Sequence, residues 1–190
     1  MNYLDILSKR RSYYHLSDPC DLDKTAIQEM VTEVVLKTPS SFHMQEGTVV
    51  LLFGEKSRAF WEKVNETYQH SIDPEKQKGF QGAAGTILFF IDQEIVEKTG
   101  KNFPAYAEKL KIWAHHGNAM LQLNTWNGLR AMGLGASLQH YHPKIDSWVH
   151  EDYEIPESWE LVAQMPFGSI EKEPDPKEKR PIEERLKIIE

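Results

Sequence analysis

The sequence predicts an α+β or α/β domain built on a small sheet, and three observations carry that reading. Two short runs rich in β-branched and aromatic residues, 48–53 and 86–91, stop at Gly54 and Asp92 and read as buried strands. Around them lie longer segments whose apolar residues recur every three or four positions, the spacing of one helix face. At 190 residues the chain has room for one domain around one core. Residues 1–190 are therefore read as a single domain.

The elements follow in order. Residues 2–10 form a short helix with Tyr3, Ile6 and Leu7 on one stripe, and Lys9, Arg10 and Arg11 gather where it ends. A second helix starts near Asp23, carries Ile27, Met30, Val31, Val34 and Val35 on one face, and ends before Pro39. Pro39 opens a loop, the strand 48–53 follows, and residues 56–69 return to a helix. Residues 71–85 are polar and glycine-rich and read as a connection. The strand 86–91 comes next, and both strands read as central.

From 106 to 132, Leu110, Trp113, Met120, Leu121, Leu123, Trp126 and Leu129 mark a long helix with a break expected at Gly117. It is apolar nearly all round, as in a helix buried at the centre of a domain or in a subunit interface. Gly133-Leu134-Gly135 ends it, and residues 159–165 read as a third strand. Residues 171–180 are charged and interrupted by proline, an extended arm, and 182–189 read as a last short helix.

Composition removes several functions. With 29 acidic against 22 basic residues and a net charge of -7, the chain lacks the broad cationic footprint that nucleic acid requires, so no nucleic-acid partner is expected. No apolar run approaches the roughly 20 residues of a membrane-crossing helix, and the N-terminal segment has no apolar core of signal-peptide length. A cytoplasmic protein without a membrane partner is the expectation. A single cysteine, Cys20, excludes an internal disulfide and reads as a small buried hydrophobe.

Three short constellations can carry chemistry. Arg10-Arg11-Ser12 places two guanidinium forks and a hydroxyl side by side, a donor set suited to phosphate, although cations favour any helix C-terminus. Pro39-Ser40-Ser41-Phe42-His43-Met44-Gln45 offers hydroxyls, an imidazole and an amide to a polar heterocycle, or is an ordinary polar turn. Gly133-Leu134-Gly135 lacks the third glycine of a dinucleotide fingerprint, because Leu138 occupies that position. The glycines of 79–85 precede a strand, whereas a phosphate loop follows one. His115, His116, His140 and His142 fit no metal-ligand spacing and read as surface or packed side chains, so no metal site is expected.

Taken in chain order, Arg10-Arg11-Ser12, the loop of Pro39, Ser40, Ser41, His43 and Gln45 before the first strand, the late Gly-Leu-Gly-Ala-Ser-Leu-Gln-His-Tyr run, and a basic Lys-x-Lys arm at Lys177 and Lys179 resemble the FMN-dependent nitroreductase family. The run after Gly133 is most similar to the branch of fungal stress-linked nitroreductase-like proteins and bacterial copper-induced nitroreductases. The resemblance implies an α+β nitroreductase-like fold, a small and mostly antiparallel central sheet surrounded by helices in an intertwined homodimer. It also implies FMN at the subunit boundary, NADH or NADPH as electron donor, and a nitroaromatic or quinone acceptor used in a ping-pong cycle.

Carried onto this chain, Arg10, Arg11 and Ser12 hold the FMN phosphate and ribityl, with Lys177 or Lys179 closing on the same anion. Pro39, Ser40, Ser41, His43 and Gln45 reach the flavin from the partner, and Leu138, Gln139 and His140 pass the ring with backbone groups. The flavin carries the chemistry, so no side chain is assigned as catalytic. Two positions depart from the family pattern: His43 stands where Asn is usual, and Tyr14 where a cation is common. The first alters the hydrogen bonds offered to the ring edge, and the second places more weight on Lys177 and Lys179. The alternative from another class is a flavin-binding regulatory or storage protein with incidental reductase activity.

Overall fold

A computed structural model describes residues 2–19 and 22–190 of the chain; Cys20, and with it the reading of that residue, lies outside them. The fold is built on an antiparallel sheet of five strands, β1 (Leu16–Ser17), β2 (Gly47–Phe53), β3 (Gly85–Asp92), β4 (Gly135–Ala136) and β5 (Trp159–Ile170). The order along the sheet is β1-β5-β3-β2, with β4 also paired to β5. Among the described residues seven helices surround it: α1 (Tyr3–Lys9), α2 (Lys24–Lys37), α3 (Glu55–Thr67), α4 (Pro74–Gly82), α5 (Gln93–Asn102), α6 (Ala107–Ala131) and α7 (Asp146–Tyr153).

Strand β3 explains the layering. Its side chains alternate, so Ile87 and Phe89 join a core with Ile27, Leu129, Ala163 and Phe167, while Leu88 and Phe90 join another with Phe60, Trp61, Val149 and Leu161. Both faces of the strand are thus covered, one by α2 and α6, the other by α3 and α7. Each buried aromatic or aliphatic side chain contributes roughly 1.5–3 kcal/mol, and β3 supplies them to two cores at once. Strand β2 does not share this position. It sits at the end of the sheet, paired on one side with β3, and most of its residues are half-buried. The expectation that both strands are central fails here because an apolar run reports burial of faces, whereas edge or centre is decided by which strand pairs next.

Three further expectations are corrected. Residues 71–85 are not an open connection, since α4 occupies 74–82, capped by Asp73 and started by Pro74. Its glycines serve close approach: a Cβ on Gly79 would lie 1.8 Å from the Tyr14 carbonyl oxygen. Helix α6 runs unbroken through Gly117 for 25 residues. At the C-terminus the expected helix over 182–189 is a single 3-10 turn at Ile182–Glu184. The third strand begins where the sequence places it but continues to Ile170, where Ser169 and Ile170 pair with β1.

Residues 93–102 and 146–153, for which the sequence predicts no element, form α5 and α7. Helix α5 starts directly from β3: Asp92, read as a strand terminator, is also the N-cap, accepting from the Glu94 amide at 3.0 Å. Among the described residues no helix is long and apolar enough to cross a membrane.

Candidate functional site

The three sequence constellations fold into two separate places along α6. At the first, α1 ends after Lys9 and the chain turns extended at Arg10. Ser12 bridges to Ala136, and the Tyr13 amide donates to the Ala136 carbonyl at 3.0 Å. Arg10-Arg11-Ser12 is thereby fixed beside the start of the Leu138, Gln139 and His140 run. Gly133, at φ +87°, turns the chain out of α6, and Gly135 lets Tyr13 pass, because a Cβ there would lie 3.0 Å from the Tyr13 ring and Cβ. The Gly-Leu-Gly segment is therefore a packing device.

Above this segment the C-terminal arm folds back. The Glu171 amide donates to the His15 carbonyl at 3.0 Å, and Arg11 Nη2 donates to the Asp175 carbonyl at 2.6 Å. Between arm and helix end lies a cleft of about 580 Å³ lined by Arg10, Arg11, Ser12, Lys172 and Lys177 together with Glu173 and Asp175. Four cations against two carboxylates give its lining an excess of positive charge. Lys179 is exposed on the arm and is not among the residues lining the cleft. The Arg10 guanidinium rests on the Trp126 ring of α6, 4.4 Å from its centroid.

The second place is the loop before β2. Phe42, His43 and Gln45 all hold φ between 54° and 58°, the left-handed region that non-glycine residues avoid. Each such residue costs roughly 1–3 kcal/mol, and strain of this kind gathers where a ligand is held. The turn survives because its polar groups are matched: His43 N–H donates to the Ser40 carbonyl at 3.1 Å, and Gln45 N–H to Ser40 Oγ at 2.9 Å. Met44 anchors it in a core with Ile91, Leu110 and Ala114. The Gln45 side-chain amide lies against His43 Nε2.

A cleft of about 370 Å³ opens here, lined by Pro39, Ser40, His43 and Gln45 from the loop and by Glu46, Thr48 and Gly117. Ser41, in the same 3-10 turn, is not among its lining residues. The second cleft touches α6 at Gly117 and Leu121, and Arg10 of the first rests on Trp126, roughly 8–14 Å further along the helix axis. One chain brings the first and third constellations together and leaves the second apart.

Leu138 and Gln139 are half-buried and His140 is exposed; none of them lines either cleft. Gln139 exchanges both backbone hydrogen bonds with Gln164 of β5, at 2.8 and 2.9 Å. Partial burial, followed by the neighbouring His142, lowers the His140 pKa, so the ring is held toward its neutral form. His115 and His116 are both exposed on α6, and among the described residues no group of three His, Cys, Asp or Glu side chains is placed to hold a metal ion.

Two features near the loop are not expected from the sequence. One is an aromatic group beside the loop, where Phe42 meets Phe103 with ring centroids 4.6 Å apart, Tyr106 at 5.6 Å and Trp113 at 6.2 Å. The other is Glu46, 1% exposed, with neither carboxyl oxygen in hydrogen-bonding geometry with a partner. Burial raises its pKa.

An antiparallel sheet between helical layers, with a cationic cleft beside a long helix and a strained polar loop further along it, defines an α+β protein. It has neither a dinucleotide fingerprint nor a phosphate loop after a strand. The chain belongs to the nitroreductase family, whose profile matches residues 7–169. It is 34% identical over 170 residues to HBN1 of Saccharomyces cerevisiae, covering 88% of this chain and 87% of that one. Nitroreductase CinD from Lactococcus lactis, solved with nicotinic acid, superimposes with a TM-score of 0.94 at 33% identity, covering 100% of both chains. CinD has also been solved with chloramphenicol and with 4-nitrophenol. An Exiguobacterium sibiricum protein solved in complex with FMN shares the fold at 14% identity, with a TM-score of 0.77 over 100% of this chain and 98% of that one. The antiparallel sheet flanked by helices that the sequence resemblance implied is the observed architecture.

Proposed function

We propose that this chain is an FMN-dependent oxidoreductase that carries electrons from NADH or NADPH to a nitroaromatic or quinone acceptor, using one site in two successive half-reactions. The observation that carries the reading is the division of the donor set: a phosphate-type cleft at Arg10, Arg11, Ser12 and Lys177, and a ring-edge loop at Ser40, His43 and Gln45 offset along α6. A single chain offers each half separately, so the reading takes a homodimer in which the loop of one copy completes the cleft of the other. Exposed Ile112, Met120 and Leu123 on α6 and Tyr3 and Leu4 on α1 supply apolar surface for that contact.

FMN, when bound, supplies the hydride and electron chemistry; the protein binds and orients it. Arg10 and Ser12 hold the phosphate, Arg11 ties the arm down so that Lys177 reaches the same anion, and Lys179 adds charge further along. Pro39 and Ser41 shape the turn that presents Ser40, His43 and Gln45, and Leu138, Gln139 and His140 border the ring. The nitrophenol and chloramphenicol complexes of CinD support an aromatic nitro acceptor.

The test is the absorbance spectrum of the purified protein followed by anaerobic mixing with NADH and a quinone. Bound oxidised flavin that bleaches with NADH and recovers with quinone is the expected result. A colourless protein that takes up no added FMN overturns the reading, and bound flavin without turnover replaces it with a storage or regulatory role. Double-reciprocal plots against NADH at several quinone concentrations are expected to be parallel, and intersecting lines exclude one shared site.

A further inference from the structure

The first cation of the arginine cleft follows a helix that has no grip on the core. Helix α1 contains no buried residue, and its Tyr3 and Leu4 are exposed. Local bonds hold the turn that leaves it: Arg10 N–H donates to the Ile6 carbonyl at 2.9 Å, and Tyr13 Oη to the Lys9 carbonyl at 2.9 Å. These bonds fix the backbone and leave the Arg10 side chain to turn about its own torsions. A long side chain that meets an anion from one rotamer loses affinity to all the others.

What pins it comes from another element. Arg10 Cζ lies over the Trp126 ring, 4.4 Å from the centroid, the shortest cation–ring approach among the described residues. Trp126 is half-buried on α6 and packs against the core that holds Ile27 and Leu129. The anchor is thus set in the core although the helix before Arg10 is not. A guanidinium over a ring is held through its face, and its N–H groups, which point outward in its own plane, stay available to an anion. Among the described residues the Arg10 side chain makes no ion pair and no hydrogen bond, whereas Arg11 spends a donor on the Asp175 carbonyl.

We propose that Trp126 is a positioning residue: its ring holds the Arg10 guanidinium with the N–H groups presented to the cleft, and so sets how strongly the site prefers a ligand that ends in phosphate over the same ligand without it. The inference rests on the reading that this cleft takes the phosphate of a flavin. Trp126 itself touches no part of the ligand in this assignment. Its effect passes through Arg10, so removing the guanidinium must also remove the effect of the ring.

The experiment titrates the flavin-free protein with FMN and with riboflavin, which differ only in the phosphate, and follows quenching of flavin fluorescence; the readout is the ratio of the two affinities. Trp126→Leu and Trp126→Met, which keep apolar bulk and lose the ring, are expected to lower that ratio by roughly threefold to tenfold, with riboflavin binding unchanged. Trp126→Phe keeps an aromatic face and most of the ratio. Arg10→Ala lowers the ratio further, and adding Trp126→Leu to it brings no additional loss. A ratio that stays at the wild-type value in Trp126→Leu and Trp126→Met overturns the proposal, and so does a loss shared equally by FMN and riboflavin, the mark of a ring that merely fills space. A ring effect that persists undiminished in Arg10→Ala overturns it as well. If neither the Leu nor the Met variant folds, Trp126→Phe decides: a partial loss with Arg10 present and none in Arg10→Ala is expected, and equal behaviour in the two backgrounds overturns the proposal. Wild type that binds neither flavin overturns the flavin reading along with it.

Discussion

Gly117 and Glu46 face one another so closely that a methyl group on the glycine would stand 2.8 Å from the carboxyl oxygen Oε1. A glycine inside a 25-residue helix costs about 1 kcal/mol against alanine, so its presence at the cleft exchanges helix stability for space. Gly117→Ala regains that propensity and forces the tip of a flexible side chain to move toward the cleft. The variant is expected to fold with stability within about 1 kcal/mol of wild type, as read by urea denaturation. A loss far beyond that range would mean that the carboxyl cannot swing aside.

The pH dependence of apo-protein stability follows from the same burial. Because the folded state raises the Glu46 pKa, it holds the proton more tightly than the unfolded chain does. The stabilising contribution is complete below the ordinary glutamate range and is lost as pH rises through the folded value. Asp146, also raised by burial, acts with the same sign, so wild type alone does not separate the two. Glu46→Gln does: its stability relative to wild type is expected to improve as pH rises from about 4.5 to about 8, measured by urea midpoints. A constant difference across that range would place Glu46 in water.

Arg10 and Arg11 adjoin in sequence and are expected to behave differently. The Arg10 guanidinium, held on Trp126, faces the cleft, whereas Arg11 spends a donor on the Asp175 carbonyl. Arg10→Ala removes a charge-assisted phosphate contact and is expected to weaken FMN by about 2 kcal/mol or more. Arg11→Ala is expected to release the arm, seen as faster tryptic cleavage after Lys172 and Lys177. Titration of both variants with FMN checks the pair, and full affinity in Arg10→Ala would remove this residue from the site.

The exposed apolar side chains of α6, with Ile112 58% and Met120 and Leu123 each 40% accessible, predict association of two copies. Light scattering at micromolar concentration is expected to report twice the chain mass. A monomer that retains flavin would place both halves of the site in one chain and overturn the shared-site reading.

The sequence by itself determined the elements whose burial is periodic. Helices α2 and α6 and strands β2 and β3 were legible because spacing of apolar residues records which faces leave water, a local property of the chain. The order of Arg10-Arg11-Ser12, the Ser40 loop and the Gly-Leu-Gly run was legible in the same way, as chemistry written in short segments. What lies against each face is not local. That β2 is an edge strand, that Gly79 admits the Tyr14 backbone inside a helix, and that Arg11 serves the arm depend on neighbours distant in sequence. Glu46 makes the point most sharply: one residue before a strand it reads as a solvated charge, and only the approach of α6, through a glycine 71 positions later, removes it from water.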